Sequence, residues 1–125
     1  SIPNHEVSTV GEVVTNADFY SYDDKYTDGT SSVAIPANLE DHMTMRIQAL
    51  AGRIYEIIGC QGLSRIDFFL ADDGTLYLNE INTLPGFTNI SMYPKLWRHQ
   101  GISYAELIER LLNDALYRGT IDTEI

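Results

Sequence analysis

The chain has 125 residues, about the length of one globular domain, and a formal net charge of −10 from eight Lys and Arg against eighteen Asp and Glu. So acidic a chain, with no basic stripe, is expected not to bind nucleic acid. It has no run of about eighteen apolar residues and no basic, hydrophobic leader, so the sequence predicts no membrane association and a cytoplasmic location. The single Cys60 excludes an internal disulfide, and its apolar neighbours predict a small buried side chain.

The first part of the chain predicts two short strands separated by a long loop. Gly11 to Thr15 is a β-branched run, and turn residues follow it at 16–18. Residues 19–32 (FYSYDDKYTDGTSS) have neither helical nor strand periodicity, which predicts a loop, and loops of this length in compact domains are usually functional or disordered. Val33 to Ile35 resumes a strand, which Pro36 ends.

The first helix is predicted to begin at Asn38, an N-cap residue followed by acidic residues in the first turn. Gly59 ends it. Apolar residues at helical spacing predict one buried face, formed by Met43, Ile47, Leu50, Ala51, Ile54, Ile57 and Ile58.

Two more helices are predicted near the end of the chain. A short one covers about 93–100, with Pro94 tolerated in its first turn. A longer one opens at Ser103 with Glu106 three residues on, which is a capping box, and ends before Gly119. Its buried face is predicted to carry Leu107, Ile108, Leu111, Leu112 and Ala115.

A β-hairpin is predicted between the helices, because 64–71 (SRIDFFLA) and 75–81 (TLYLNEI) both read as strands. Asp73 and Gly74 between them are typical of a two-residue type I′ turn. Helices combined with an antiparallel hairpin indicate an α+β fold.

The register of that turn brings polar side chains together on one face of the hairpin. Asp67 faces Glu80 and Arg65 faces Asn82, and opposed residues point to the same side of a sheet. The other face is expected to meet the core and carries Ile66, Phe68, Leu70, Tyr77 and Ile81.

Two opposed carboxylates destabilise a sheet by a few tenths to about one kcal/mol, so something must favour the pair. Mg²⁺ is commonly held by one or two carboxylates together with nucleotide phosphates, and Asp67, Glu80 and the Asn82 carbonyl are such a set of oxygens. Arg65 beside them could hold a phosphoryl group. The alternative is a wet sheet face with Arg65 in an ordinary ion pair, and spacing alone leaves both interpretations open.

Four stretches resemble the C-terminal segment of the D-alanine:D-alanine ligases, a family of the ATP-grasp superfamily: SRIDFFL, the Asp-Gly turn, YLNEINTLPGFT and NISMYPKLW. FYSYDDKY is similar to the family's omega loop, placed here at about 19–32. The motifs keep the family order from about Gly11 to Arg118. The resemblance implies an ATP-grasp C-terminal subdomain, α+β, whose antiparallel sheet packs with helices and whose metal-binding hairpin covers about 64–82.

The resemblance also implies the roles of individual residues. The ligands of two Mg²⁺ ions, for which Mn²⁺ could substitute, would be Asp67, Glu80 and Asn82. The catalytic residues would be Arg65, Gly86 through its N–H, and Tyr26. The second D-amino acid would be bound by Ser91 and Gly86, and ATP would be contacted by Lys25, Phe19, Asn79 and Glu80.

The implied reaction is ATP-dependent joining of two D-alanines through an acyl phosphate, for peptidoglycan synthesis and hence cell-wall biogenesis and cell shape. ATP and D-alanine are the expected partners, and the full-length protein is expected to be a homodimer. The Lys25-Tyr26 pair favours an amine acceptor, with D-alanine preferred to D-serine. Because members of the family are much longer, the chain is expected to be a fragment that does not turn over ATP alone.

Three alternatives are weighed against this resemblance. Another ATP-grasp carboxylate-amine ligase would lack the TLPGFTNIS stretch with Lys25-Tyr26. A non-catalytic cation-binding module is suggested by Asp24 and Asp28, but Tyr26 occupies a ligand position of an EF-hand and Ile35 stands where its final Glu belongs. A packing remnant that binds nothing would show no affinity for Mg²⁺ or Mn²⁺.

Overall fold

A computed structural model describes residues 5–15 and 31–123. Two antiparallel strand pairs and three helices occupy these residues: β1 Glu12–Thr15, β2 Ser31–Ala34, α1 Asp41–Ile58, β3 Arg65–Leu70, β4 Leu76–Asn82, α2 Met92–His99 and α3 Tyr104–Thr123. β1 pairs with β2 and β3 with β4, as separate two-stranded sheets. The predicted α+β mixture is confirmed. None of the helices in these ranges is both long and apolar enough to cross a membrane.

The strand pair β1–β2 forms as an antiparallel ladder in which Val13 is opposite Val33. The strand predicted at 11–15 is confirmed, whereas β2 already begins at Ser31. Residues 31 and 32, which were included in the predicted loop at 19–32, therefore belong to β2. Residues 19–30 lie outside the described residues.

Helix α1 begins at Asp41, and its N-cap is Glu40 instead of the predicted Asn38. The backbone N–H of Asn38 donates to Glu12 Oε1 at 3.1 Å, which keeps this residue in the connection from β2. Gly59 ends the helix as predicted, with a left-handed φ of 76°. Ile57 and Ile58 are 70% and 57% exposed, so the last turn of the predicted buried face is not buried in this chain.

The best-buried apolar cluster lies between α2 and α3. Its centre is Tyr93, Trp97 and Leu107, against which the partly buried Leu63, Phe87, Ile102 and Leu111 pack. The Oγ of Ser103 accepts the Glu106 N–H at 3.1 Å, so the predicted N-cap of α3 is confirmed.

Helix α3 departs from its prediction in length and in burial. It continues through Gly119 to Thr123, since one glycine in a helix costs only about 1 kcal/mol relative to alanine. Ile108 and Leu112 were predicted to be buried but are 36% and 59% exposed. Cys60 is buried, as predicted.

The hairpin turn is one residue longer than predicted. Ala71 N–H donates to Thr75 O and Gly74 N–H donates to Ala71 O, both at 2.9 Å, so 72–74 form a three-residue loop. Gly74 takes the left-handed position with a φ of 89°, which is typical of such loops. Asp73 Oδ1 accepts the Thr75 N–H at 2.9 Å, and this bond to the charged form lowers the pKa of Asp73.

A β-bulge at Asn79 compensates for the longer turn. Between the turn and the bulge, Phe69 is opposite Tyr77 and Phe68 is opposite Leu78. On the far side of the bulge from the turn, Asp67 is opposite Glu80. Asn79 is the extra residue on β4. The predicted pairing of the polar residues is confirmed, but Tyr77 was assigned to the wrong face: it shares a face with Phe69 and is 57% exposed.

Candidate functional site

Four polar side chains form a cluster at the bulged end of the hairpin: Arg65, Asp67, Glu80 and Asn82, called the polar cluster below. Arg65 binds Asp67 through two parallel hydrogen bonds, from Nε to Oδ1 at 2.9 Å and from Nη2 to Oδ2 at 3.0 Å. Such a bidentate contact is both strong and geometrically specific. Arg65 Nη2 also lies 4.0 Å from Glu80 Oε1, so one guanidinium neutralises both carboxylates.

Asn82 completes the polar cluster through its amide nitrogen. Nδ2 donates to the Arg65 carbonyl oxygen at 3.1 Å and to Asp67 Oδ2 at 3.2 Å. Both amide hydrogens are therefore used within the cluster. The amide oxygen is the acceptor end of this side chain, and it is the atom that could bind a cation.

The polar cluster fits a hard divalent cation by the chemistry of its donors, which are two carboxylates and one amide oxygen on neighbouring strands. Among the described residues no three His, Cys, Asp or Glu side chains gather into a metal-binding group, so the amide would have to be the third ligand. A cation at Asp67 would compete with the Arg65 fork and the Asn82 amide for the lone pairs of the carboxylate. Because Arg65 already offsets the repulsion between the carboxylates, the ion-pair interpretation accounts for the geometry and the metal assignment stays a prediction.

The 86–91 loop is part of the connection from β4 to α2, and side chains of α2 and α3 form hydrogen bonds with its backbone. Pro85 before it is buried, and the Tyr104 hydroxyl donates to the Phe87 carbonyl oxygen at 2.6 Å. Arg98 Nη2 donates to the Asn89 carbonyl oxygen at 3.0 Å. The Phe87 ring lies 5.3 Å from that of Tyr104, so the loop is anchored by both hydrogen bonds and ring packing.

Ser91 lies at the N-cap of α2, but its side chain makes no capping bond to that helix. Its Oγ instead accepts the Thr88 N–H at 3.0 Å and lies 2.8 Å from Thr88 Oγ1. A Cβ on Gly86 would stand 3.1 Å from the same Oγ, so the missing side chain of Gly86 leaves room for this hydroxyl. Thr88 is not among the site residues that the sequence predicts, although Ser side chains in turns often bond to backbone groups three residues earlier, as Ser91 does here.

A common cleft of about 1340 Å³ is lined by part of the polar cluster and by the 86–91 loop, whereas Glu80 and Asn82 do not line it. Arg65, Asp67 and Asn79 line it from the hairpin, and Gly86 and Ser91 line it from the loop. The structure thus brings together most of the predicted site residues that it describes. Phe19, Lys25 and Tyr26 lie outside the described residues, so their predicted contacts with ATP and substrate stay predictions.

Residues 2–113 match a protein-family model described as the D-ala D-ala ligase C-terminus. The chain belongs to this family. The matched residues include the whole polar cluster, the 86–91 loop and α2. They include α3 only as far as residue 113.

Relatives and solved structures agree with this membership. D-alanine--D-alanine ligase A of Escherichia coli strain K12 is 46% identical over 123 residues, which are 98% of this chain and 34% of that protein. The crystal structure of VanG D-Ala:D-Ser ligase from Enterococcus faecalis superposes with a TM-score of 0.77 at 36% identity, covering 90% of this chain and 33% of the other. A Bacillus anthracis D-alanine--D-alanine ligase complexed with ATP gives a TM-score of 0.75 at 26% identity, covering 92% and 37%. The ATP-grasp C-terminal fold predicted from the sequence is confirmed, and the chain spans about a third of the length of the proteins it matches.

Proposed function

We propose that this chain supplies the C-terminal part of an ATP-dependent ligase that joins two D-alanines into D-alanyl-D-alanine for peptidoglycan synthesis. The observation that carries the proposal is the common cleft. Arg65 and Asp67 of the polar cluster face the same space as Gly86 and Ser91, and 98% of this chain matches a D-alanine--D-alanine ligase. Acyl activation by ATP needs such a combination of charge neutralisation and positioning.

In this proposal the polar cluster serves the phosphate side of the reaction. Asp67, Glu80 and Asn82 would hold Mg²⁺, and when bound the ion neutralises charge on the ATP phosphates. Arg65, which lies beside these carboxylates, would bind the transferring phosphoryl group, because a planar guanidinium can bind two oxygens at once. Asn79 at the bulge and Glu80 would contact the nucleotide, together with Lys25 and Phe19.

The 86–91 loop serves the acyl side. The amino group of the second D-alanine attacks the acyl phosphate of the first, which creates negative charge on the former carbonyl oxygen. The C–O bond to phosphate then breaks, phosphate leaves, and loss of a proton from the nitrogen gives the amide. The backbone N–H of Gly86 would donate to that oxygen, and Ser91 would bind the carboxylate of the second D-alanine. Tyr26 would close over both substrates. The reaction takes ATP from the cytoplasm, and we expect the full-length protein to act there as a homodimer.

The acceptor could also be D-serine, because VanG D-Ala:D-Ser ligase is among the well-matched structures. D-alanine remains our first choice, since the Escherichia coli relative, at 46% identity, is a D-alanine--D-alanine ligase. Competition between the two acceptors distinguishes them: a D-alanine ligase forms mainly D-alanyl-D-alanine from an equimolar mixture of D-alanine and D-serine.

The proposal is tested with a chimera in which this chain replaces the matched segment of the Escherichia coli ligase. We expect the chimera to release ADP and phosphate and to form D-alanyl-D-alanine, whereas the isolated chain, with its open cleft, should form none. A chimera that folds and binds ATP but makes no dipeptide would contradict the proposal. The parent ligase without its C-terminal segment is the control for residual activity.

Adding one methyl group at Gly86 should impair the chimera without unfolding it. In Gly86→Ala the new Cβ would lie 3.1 Å from Ser91 Oγ, so the hydroxyl must shift by a few tenths of an ångström. We expect kcat/KM for the second D-alanine to fall about 10-fold, since small misplacements at a reacting centre are costly. Gly119→Ala is the matched control, because a Cβ there meets nothing within 4 Å. Equal kinetics for the two variants would argue against a role for Gly86.

A further inference from the structure

Thr88 and Ser91 are joined by three contacts that close the 86–91 loop on itself. The Ser91 N–H donates to the Thr88 carbonyl oxygen at 3.0 Å, and the Thr88 N–H donates to Ser91 Oγ at 3.0 Å. The two hydroxyl oxygens are 2.8 Å apart, a distance at which either could be the donor. The direction of that last bond decides whether the Ser91 hydroxyl has a proton to donate to a ligand.

A serine hydroxyl has one proton to donate and two lone pairs that accept. In Ser91 the Thr88 N–H occupies one lone pair. If the Thr88 hydroxyl donates into the other lone pair, the only proton of Ser91 is left for a third group outside the pair. If Ser91 donates to Thr88 instead, it has no proton for that group.

Resting on the proposed function of Ser91, we infer that Thr88 is a positioning residue for the acceptor substrate: its hydroxyl donates to Ser91 Oγ and directs the Ser91 proton at the substrate carboxylate. The contacts form a chain that runs from Thr88 to Ser91 to the carboxylate. Each bond in such a chain polarises and strengthens the next. An anion is the ligand that favours this direction, because a carboxylate accepts and cannot donate.

The surroundings of Ser91 support this direction. The side chain stands at the N-cap of α2 without capping it, so the hydroxyl is not consumed by the helix. Gly86 has no side chain to crowd the Ser91 hydroxyl, since a Cβ there would lie 3.1 Å from Ser91 Oγ. Thr88 and Ser91 both line the common cleft. Thr88 itself is exposed, so its contact with Ser91 is not required to fill the core.

The test measures acceptor binding in the chimera with Thr88→Val, which keeps the branched shape and removes the hydroxyl. We expect KM for the second D-alanine to rise about 3- to 10-fold, the value of one hydrogen bond, with kcat and KM for ATP nearly unchanged. Thr88→Ser keeps the hydroxyl and should restore KM to within about 2-fold of the parent chimera. A merely structural role of Thr88 would not produce this selective change in KM.

A double-mutant cycle with Ser91→Ala separates this inference from the proposed function. Ser91→Ala alone should raise the acceptor KM about 10- to 100-fold, because a bond to a charged group is lost. If Thr88 acts through Ser91, Thr88→Val has no further effect in the Ser91→Ala background. Additive effects, or no effect of Thr88→Val in the parent chimera, would overturn the inference. No effect of Ser91→Ala would instead overturn the proposed acceptor site.

Discussion

Asp67→Asn is expected to abolish ligation by the chimera, with kcat/KM falling by at least about 100-fold. The Asp67 carboxylate accepts both hydrogen bonds of the Arg65 fork and one from Asn82, and its side chain is less exposed than that of Glu80, 22% against 45%. An Asn of equal size carries no charge and can offer only one acceptor oxygen. Titration of Mn²⁺ followed by EPR, with and without ADP, should show a matching loss of affinity.

Asp72→Asn provides the matched control for this variant. Asp72 is an exposed carboxylate in the turn of the same hairpin, so its removal changes the net charge equally without touching the polar cluster. We expect activity and Mn²⁺ affinity close to those of the parent chimera. If Asp67→Asn also bound Mn²⁺ normally, Asp67 would be only the ion-pair partner of Arg65, and the metal assignment would fail.

Leu107→Ala is expected to lower the free energy of unfolding of the chain by about 2–5 kcal/mol. Leu107 is only 5% exposed and packs with Tyr93 and Trp97 in the best-buried apolar cluster of the described chain. Removing its side chain leaves a cavity between α2 and α3 in a core that has few other members. Trp97 is the only tryptophan of the sequence, so its fluorescence during urea unfolding reports directly on this cluster.

The same truncation at Leu112 tests whether burial explains the loss. Leu112 lies on the same helix but is 59% exposed. We expect Leu112→Ala to change the free energy of unfolding by no more than about 0.5 kcal/mol. Similar losses for the two variants would mean that Leu112 is buried in solution, for example against another copy of the chain.

The sequence predicts the polar cluster correctly, but through two local errors that cancel. Asp73-Gly74 suggests a two-residue turn, whereas the chain makes a three-residue loop with Gly74 in the left-handed position. The bulge at Asn79 then adds the compensating residue on β4. Nothing in the run LYLNEIN distinguishes a bulge from a regular strand, because bulges depend on the pairing partner and not on local propensity.

Apolar spacing predicts the helices better than it predicts which of their side chains are buried. Apolar spacing placed Ile57, Ile58, Ile108 and Leu112 on buried faces, yet these side chains are exposed in this chain. Periodicity identifies the face of a helix that avoids water, but not the partner that covers it. The relatives are about three times longer than the matched segment, which covers 34% of the Escherichia coli protein.

The bulge also divides the hairpin into a strict part and a permissive part. On the side of the bulge away from the turn, the Asn82 amide on β4 donates to Arg65 and Asp67 on β3 and so fixes which residues are opposed. Between the bulge and the turn, Leu70, Tyr77 and Leu78 are all exposed. A shift in their pairing would therefore change the buried apolar area little. A change in the length of the turn at 72–74 can therefore be taken up by the residue pairs between the turn and the bulge, while Asp67 stays opposite Glu80.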